Sequence, residues 1–226
     1  MAKIAGAPIS WGVCEVPGWG NVLPSDTVLA EMHSLGLTAT ELGPPDYLPA
    51  DPEALKTLLS SHELTLVDTC AKIREIAAKH GLATVLHPHV GTHVEREAEV
   101  DRFLADSDLQ LCLDTGHLLI GGTDPVELAR RYPDRIGHVH LKDVRDEIAA
   151  KVRSGELSYT DAVEQGIYVP LGDGDVDVEA LVKLVQEAGY AGWFVLEQDT
   201  QLKDGSPVDK PLKDTGRSLA HLSKIL

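Results

Sequence analysis

The sequence predicts an α/β fold in which parallel strands and helices alternate, and a (βα) barrel is the arrangement that fits best. Short apolar runs typical of buried strands alternate with amphipathic helical runs almost from one end of the chain to the other. Acidic and imidazole side chains directly follow several of these apolar runs. Because the carboxyl ends of parallel strands meet at one edge of a barrel, this recurrence predicts a single site built from several strands.

Seven strands are predicted, each from a short run rich in apolar residues. They cover residues 4–10, 38–42, 65–67, 83–86, 109–113, 136–141 and 192–196. A helical run lies between most neighbouring strands, which is the connection that parallel strands require.

The predicted helices have recognisable start and stop signals. The first, 25–35, has Ser25 as its cap and ends at Gly36. The second begins near Asp51-Pro52, where proline suits the first helical turn. The remaining helices are predicted at 73–80, 95–104, 125–132, 178–188 and 219–226, with two short helical runs, 147–152 and 160–164, in a long excursion between residues 143 and 193.

One connection is too short for this pattern. The third strand passes through Cys70 into Ala71 and the next helix with essentially no turn residues, whereas a βα connection normally has two or more. The chain has 226 residues, whereas an eight-stranded barrel typically has about 250. We therefore expect a (βα)8-type barrel that is short by about one βα unit near residues 70–71.

Length and composition predict one domain, residues 1–226, because nothing divides the chain into two independently apolar halves. No run approaches the roughly 18 apolar residues of a membrane span, and no signal peptide is visible, so a soluble cytoplasmic protein is expected. The formal net charge of −16 disfavours nucleic acid as a partner. A small, uncharged polar molecule is the expected ligand, and no membrane contact is expected.

Four motifs supply candidate metal ligands after four of the strands. They are His87-Pro88-His89, Asp114-Thr115-Gly116-His117, His138-Val139-His140 and Glu197-Gln198-Asp199. Residues two apart on a strand point to the same face, so the two histidines of each pair aim together. Imidazole and carboxylate ligands suit Zn, Mn, Co or Fe. A lone histidine at a strand end is more often a hydrogen-bonded core residue, but four clusters together favour one metal-centred site.

Together these motifs resemble the xylose-isomerase-like sugar isomerase and epimerase superfamily of TIM barrels, and most closely its inosose dehydratase branch. The resemblance spans nearly the whole chain and rests on residues 7–12, 40–44, 86–92, 112–117, 138–143, 170–174 and 195–199. The Asp-Thr-Gly-His motif followed by His-Val-His-Leu-Lys-Asp is the most specific feature. The resemblance also implies that relatives carry additional sequence where this chain joins Cys70 to Ala71, supplying a crossover helix and the fourth strand.

The resemblance implies a metal-dependent lyase of inositol catabolism, which removes water from a keto-inositol or a similar cyclic keto-polyol. Its metal ligands match His87, Asp114, His140 and Glu197. Two carboxylates and no thiolate favour Mn or Co, with Mg or Zn as alternatives. Relatives are often oligomeric, so a homo-oligomer is expected.

The remaining site residues are expected to act on the substrate. His117 is the first candidate for the acid or base and His89 the second, while an equally weighted alternative has His117 holding a ligand carboxylate. Lys142 is expected to hold a substrate hydroxyl or the departing oxygen. The predicted substrate-binding residues are Glu41, Trp11 and Asp143; for Trp11, packing in the first βα loop is the more frequent use, and Asp143 can instead orient Lys142 or a ligand histidine.

Three other functions remain open from the sequence. A sugar isomerase or epimerase of the same superfamily is one; its ketose 3-epimerases use two metal-bound glutamates as paired acid and base, whereas only Glu197 is present here. Phosphoester hydrolysis on a related barrel is disfavoured by the net charge of −16. A truncated barrel that binds sugar or metal without catalysis is favoured by the abrupt Cys70-Ala71 join.

Overall fold

A computed structural model of the chain describes residues 3–14, 20–44, 46–49, 51–66, 83–92 and 94–226. Its main feature is a parallel sheet of seven strands. The strands are β1 (Lys3–Gly6), β2 (Ala39–Thr40), β3 (Thr65–Leu66), β4 (Val85–Leu86), β5 (Gln110–Asp114), β6 (Ile136–Leu141) and β9 (Trp193–Leu196). The order across the sheet is β3-β2-β1-β9-β6-β5-β4, and every adjacent pair is parallel. The predicted TIM-type barrel, short of eight strands, is thereby confirmed.

The order of the strands determines where the site forms. The first strand, β1, pairs with β9, the last strand of the sheet along the chain, and β9 also pairs with β6. The first and last strands therefore lie side by side in the middle of the sheet. The outermost strands are β3 and β4, which flank residues 67–82 along the chain. Helix 73–80 and the Cys70-Ala71 join of the sequence prediction lie outside the described residues.

Helices cover the sheet. They are α1 (Ser25–Ser34), α2 (Pro52–Ser61), α3 (Glu97–Asp106), α4 (Thr115–Gly121), α5 (Pro125–Arg131), α6 (Asp146–Ser154), α7 (Tyr159–Glu164), α8 (Val178–Glu187) and α9 (Lys210–Ile225). Their apolar faces pack with buried strand residues such as Leu111, Val139 and Phe194 in one continuous core. Within the described ranges, none of these helices has the length and apolar character needed to cross a membrane.

Several element boundaries differ from the sequence prediction for identifiable reasons. The first strand ends at Gly6, four residues early, because Pro8 has no N–H for the sheet and begins a 3-10 helix, Pro8–Trp11. Ser25 does not cap α1; it is the first helical residue and Pro24 occupies the cap position. Gly36 has a φ of +80°, as expected for a residue that ends a helix.

Two elements were missed by the sequence prediction. Helix α4 follows β5 without a loop, because the Asp114 carboxylate caps it by accepting from the backbone N–H of His117 at 2.8 Å. A two-stranded antiparallel sheet, β7 (Asp143–Val144) with β8 (Tyr168–Val169), begins the long excursion after β6. Helix α9 also begins at Lys210, nine residues before its predicted start.

Candidate metal centre

The candidate metal ligands stand at the carboxyl ends of four neighbouring strands. His87 and Glu197 are the first residues after β4 and β9, Asp114 ends β5, and His140 is the penultimate residue of β6. In the sheet register, Asp114 lies opposite His140 and His140 lies opposite Val195. The parallel pairing therefore brings side chains that are distant in sequence to one place.

The ligand atoms of these residues converge. His140 Nδ1 lies 2.5 Å from Glu197 Oε2 and 3.3 Å from Asp114 Oδ2, and His87 Nε2 lies 3.2 Å from the same Asp114 oxygen. One ligand atom each from Asp114, His140 and Glu197 fits within 4.8 Å. The structure thus brings together all four residues that the sequence predicted as metal ligands.

Two of these atoms indicate that a cation fits between the side chains. His140 Nδ1 and Glu197 Oε2 are buried and lie 2.5 Å apart, but within the part of the chain that the structure describes neither atom has a partner at hydrogen-bond geometry. Buried polar atoms are normally paired, because an unpaired one costs free energy. Imidazole nitrogen and carboxylate oxygen atoms aimed at one point are the ligand types of a divalent metal site.

The charge balance supports the same conclusion. Burial alone would raise the pKa of Asp114, but Lys142 and His117 outweigh burial and hold this pKa well below its usual value. Burial likewise opposes ionisation of Glu41 and Glu197, yet neighbouring cationic groups lower the pKa of both carboxyls. Among the residues that the structure describes, Lys142 is the one buried ammonium beside these carboxylates. A divalent cation would compensate the excess negative charge.

Glu41 determines which nitrogen of His140 is available. His140 Nε2 lies 2.8 Å from Glu41 Oε1, so the Nε2 hydrogen is donated to the carboxylate. The neutral imidazole then has its lone pair on Nδ1, the atom that faces Asp114 and Glu197. Glu41 was predicted to bind substrate hydroxyls; its geometry favours orienting His140, although its side chain also lines the cavity described next.

The metal centre lies in the wall of a cavity of about 380 Å³. Part of the cavity lining is apolar and comes from the first two βα loops: Ala7, Pro8, Ile9, Val13, Leu42 and Pro44. The polar part of the lining includes His89, Lys142, Tyr159 and Asp199 together with candidate ligands. Among the lining residues that the structure describes, Lys142 is the only lysine or arginine, so the cavity suits an uncharged polar ligand better than a phosphorylated one.

Lys142 is the centre of a buried hydrogen-bond network. Its Nζ lies 2.9 Å from Asp199 Oδ1 and 2.9 Å from His117 Nε2. Burial lowers the pKa of Lys142, but the surrounding carboxyls, first Asp114 and then Asp199, outweigh burial and hold it well above its usual value. Lys142 is therefore a fixed cation that can donate a hydrogen bond into the cavity.

His89 and His117, the predicted acid or base residues, lie at different depths from the cavity. His89 lines the cavity, whereas His117 is 1% exposed, is absent from the lining and packs behind His89 with ring centroids 3.7 Å apart. Capping by Asp114 places His117 in α4, where its backbone N–H donates to this candidate ligand carboxylate. This contact fits the alternative prediction, in which His117 holds a ligand carboxylate, and its role as the acid or base stays a prediction.

Two predicted substrate-binding residues also lie elsewhere. Trp11 is fully buried, is absent from the cavity lining and donates its indole N–H to Glu31 at 2.7 Å, which is a packing role. Asp143 is 1% exposed and accepts four backbone N–H groups, three of them from the loop after β8. The predicted substrate-binding roles of Trp11 and Asp143 are corrected, because the polar groups of both side chains form hydrogen bonds within the protein.

Tyr159 and Asp199 are two polar lining residues to which the sequence prediction gave no role. Asp199 stands two residues after Glu197, so the same-face rule could have identified it. Tyr159 comes from α7 in the long excursion, and no motif marks it. Tyr159 donates its hydroxyl to Asp199 Oδ2 at 2.6 Å.

Together, the fold and this geometry define a (βα)-barrel protein with a carboxylate and histidine centre at the carboxyl ends of its strands. The xylose isomerase-like TIM barrel family matches residues 26–225, and the chain belongs to this family. The resemblance inferred from the motifs is confirmed at this level.

Curated relatives of the chain are named inosose dehydratase. The one from Geobacillus thermodenitrificans (strain NG80-2) is 37% identical over 151 residues, which cover 66% of this chain and 51% of the relative. This match spans about half the length of the relative. The one from Geobacillus kaustophilus (strain HTA426) is 31% identical over 268 aligned positions, which cover 87% of each protein. That alignment is longer than the 226 residues of this chain, so the relative contains residues that this chain lacks.

Solved structures share the fold. D-allulose 3-epimerase from Methylomonas sp. superposes with a TM-score of 0.67, over 100% of this chain and 97% of that one. The two sequences are 14% identical, so this likeness concerns the fold alone.

Proposed function

We propose that the protein is a metal-dependent dehydratase that removes water from an inosose, a keto-inositol, or from a similar cyclic keto-polyol. The observation that carries the proposal is the convergence of Asp114, His140 and Glu197, with His87, beside a cavity whose described lining includes one ammonium group. Relatives named inosose dehydratase support the choice of reaction. Mn or Co is the proposed metal, with Mg or Zn as alternatives.

The four ligand residues would hold the divalent ion, which would supply Lewis-acid polarisation of the substrate ketone. His89 is the proposed base for the proton on the neighbouring carbon. Its Nδ1 lies 2.8 Å from the carbonyl oxygen of Val90, so Nδ1 carries the hydrogen and Nε2 carries the lone pair. Burial and the nearby Lys142 lower the pKa of His89, which favours this neutral form.

Lys142 is the proposed hydrogen-bond donor to the departing hydroxyl group. Its ammonium is held by Asp199 and His117 on the protein side. The proton that His89 accepts from carbon can be returned to the departing hydroxyl, which then leaves as water. The net reaction is loss of one water, and His89 regains its starting state.

Mass spectrometry of scyllo-inosose incubated with Mn- or Co-loaded protein tests this function. Asp114→Asn is the informative variant, because asparagine can still cap α4 but removes a charged ligand oxygen. We expect dehydration by the wild type and a loss of at least about a hundredfold in Asp114→Asn. Asp124→Asn, the same change at the exposed cap of α5, is the matched control and should keep full activity.

A competing proposal is a barrel that binds sugar or metal without catalysis, and the residues that this chain lacks relative to the Geobacillus kaustophilus protein favour it. Stoichiometric metal with unchanged inosose would support that reading over the dehydratase. The single domain, the cytoplasmic location and the homo-oligomeric state stay predictions. Light scattering after size-exclusion chromatography measures the oligomeric state directly.

A further inference from the structure

A directed chain of hydrogen bonds ends at the cavity wall. The hydroxyl of Tyr168 lies 2.9 Å from that of Tyr159, and Tyr159 donates to Asp199 Oδ2 at 2.6 Å. Since the Tyr159 hydrogen is used on Asp199, the Tyr168 hydroxyl donates to Tyr159. Lys142 donates to the other oxygen, Asp199 Oδ1, at 2.9 Å. The hydrogen bonds of Tyr168, Tyr159 and Lys142 in this series are therefore all directed toward Asp199.

Asp199 has acceptor capacity that these bonds leave over. A carboxylate offers about four acceptor positions. Within the described part of the chain, Lys142 and Tyr159 use one position on each oxygen. Asp199 is 8% exposed and lines the cavity, so the positions that remain face whatever occupies it.

The position of Asp199 suits a ring that is also held at the metal centre. Lys142 Nζ lies 2.9 Å from Asp199 Oδ1 and 3.5 Å from Glu197 Oε1, so a single ammonium bridges the two carboxyls. One six-membered ring can therefore reach both. The same cavity has an apolar part in its lining, which suits the C–H groups of such a ring and includes Ala7, Pro8 and Ile9.

We propose that Asp199 accepts hydrogen bonds from ring hydroxyl groups remote from the reacting carbons, and that Tyr159 is the positioning residue that fixes Asp199 for this task. This inference rests on the proposed function, since it names the feature of the substrate that the same site selects. A polyhydroxylated, uncharged ring satisfies Asp199. A ring without those hydroxyl groups leaves the remaining acceptor positions of Asp199 unfilled, and an anionic ring is repelled by the negative charge of Asp199.

Isothermal titration calorimetry on metal-loaded protein tests the proposal without relying on turnover. The probes are scyllo-inosose and a deoxy analogue that lacks the hydroxyl groups remote from the ketone. The variants are Asp199→Asn and Tyr159→Phe. Tyr190→Phe is the matched control, because it also loses one tyrosine hydroxyl bond, to the carbonyl of Trp193, but does not line the cavity. Metal content is measured for each variant.

We expect scyllo-inosose to bind about 10- to 100-fold more weakly to Asp199→Asn and about tenfold more weakly to Tyr159→Phe, as loss of hydrogen bonds to a charged group implies. The deoxy analogue should bind wild type and both variants alike, and metal content should not change. Tyr190→Phe should bind both probes like the wild type.

Three results would overturn the proposal. Unchanged affinity for scyllo-inosose in both variants would remove Asp199 from recognition. Equal losses for both probes would mean that the substitutions merely disturb the structure. A wild-type protein that binds no inosose would sink both this inference and the proposed function, whereas binding with no release of water would contradict the dehydratase alone.

Discussion

Replacing Asp143 by asparagine should destabilise the protein strongly, although the two side chains have nearly the same shape. Asp143 Oδ1 accepts from the backbone N–H groups of Val144 and Val176, at 2.9 and 3.1 Å. Its Oδ2 accepts from those of Gly172 and Gly174, at 2.8 and 2.9 Å. An amide nitrogen cannot accept, so two of these four N–H groups lose their acceptor and face another donor.

The size of the effect follows from these bonds. A hydrogen bond to a charged group contributes roughly 1.5–3 kcal/mol, so the loss of two predicts about 3–6 kcal/mol. The lower figure is expected, because Gly172 is exposed and Gly174 half-buried, so water can replace part of the loss when the amide nitrogen faces them. We therefore expect the free energy of unfolding to fall by about 3 kcal/mol.

Urea unfolding followed by circular dichroism, with linear extrapolation, measures this change. The matched control is Asp124→Asn: Asp124 also accepts two backbone N–H groups, but at an exposed helix cap where asparagine serves equally well, so less than about 0.5 kcal/mol is expected. An Asp143→Asn variant as stable as wild type but weakened in inosose binding would refute this reasoning and return Asp143 to the substrate.

Three further predictions concern the site. Gly116→Ala should cost about 1–3 kcal/mol in urea unfolding, because its Cβ would lie 2.7 Å from Lys142 Cβ, whereas Gly216→Ala, in the interior of α9 beside a flexible leucine end, should be neutral or stabilising. Equal effects would contradict the close approach. Metal binding should release about one proton near pH 7, because burial lowers the pKa of His140 but the neighbouring acidic groups hold it well above its usual value in the metal-free protein. Affinity should therefore rise as pH increases toward that pKa, and calorimetric enthalpies that do not depend on the buffer would refute this. Glu41→Gln should lower metal affinity about 10- to 100-fold through loss of the His140 orientation, as equilibrium dialysis can measure; an unchanged affinity would restore Glu41 to a substrate role.

The residues that could be predicted from sequence are those whose position follows from strand direction alone. His87, Asp114, His140 and Glu197 each end or follow a strand, and parallel pairing brings such residues to one edge. Apolar runs placed the four motifs at strand ends, and the family resemblance selected these four residues within them.

The remaining assignments depended on partners that periodicity does not reveal. The loop N–H groups that donate to Asp143 lie 29 to 33 residues further along the chain. The sequence therefore did not reveal that this strand-end carboxylate holds a loop. Gly116 lies in α4 beside His117 and permits the close approach of Lys142, a contact that no sequence pattern indicates. Tyr159 reaches Asp199 across 40 residues from an excursion that carries no motif.

The most direct test of the central claim is the mass of the product formed from scyllo-inosose in deuterated water by the Mn- or Co-loaded protein, after the hydroxyl groups are exchanged back in ordinary water. A dehydratase gives a product lighter by one water, in a reaction that requires the metal. An unchanged mass would instead indicate a barrel that binds without catalysis. An unchanged formula with one carbon-bound deuterium gained would be the signature of an isomerase or epimerase that moves a proton without expelling a hydroxyl group, and either result would contradict the dehydratase.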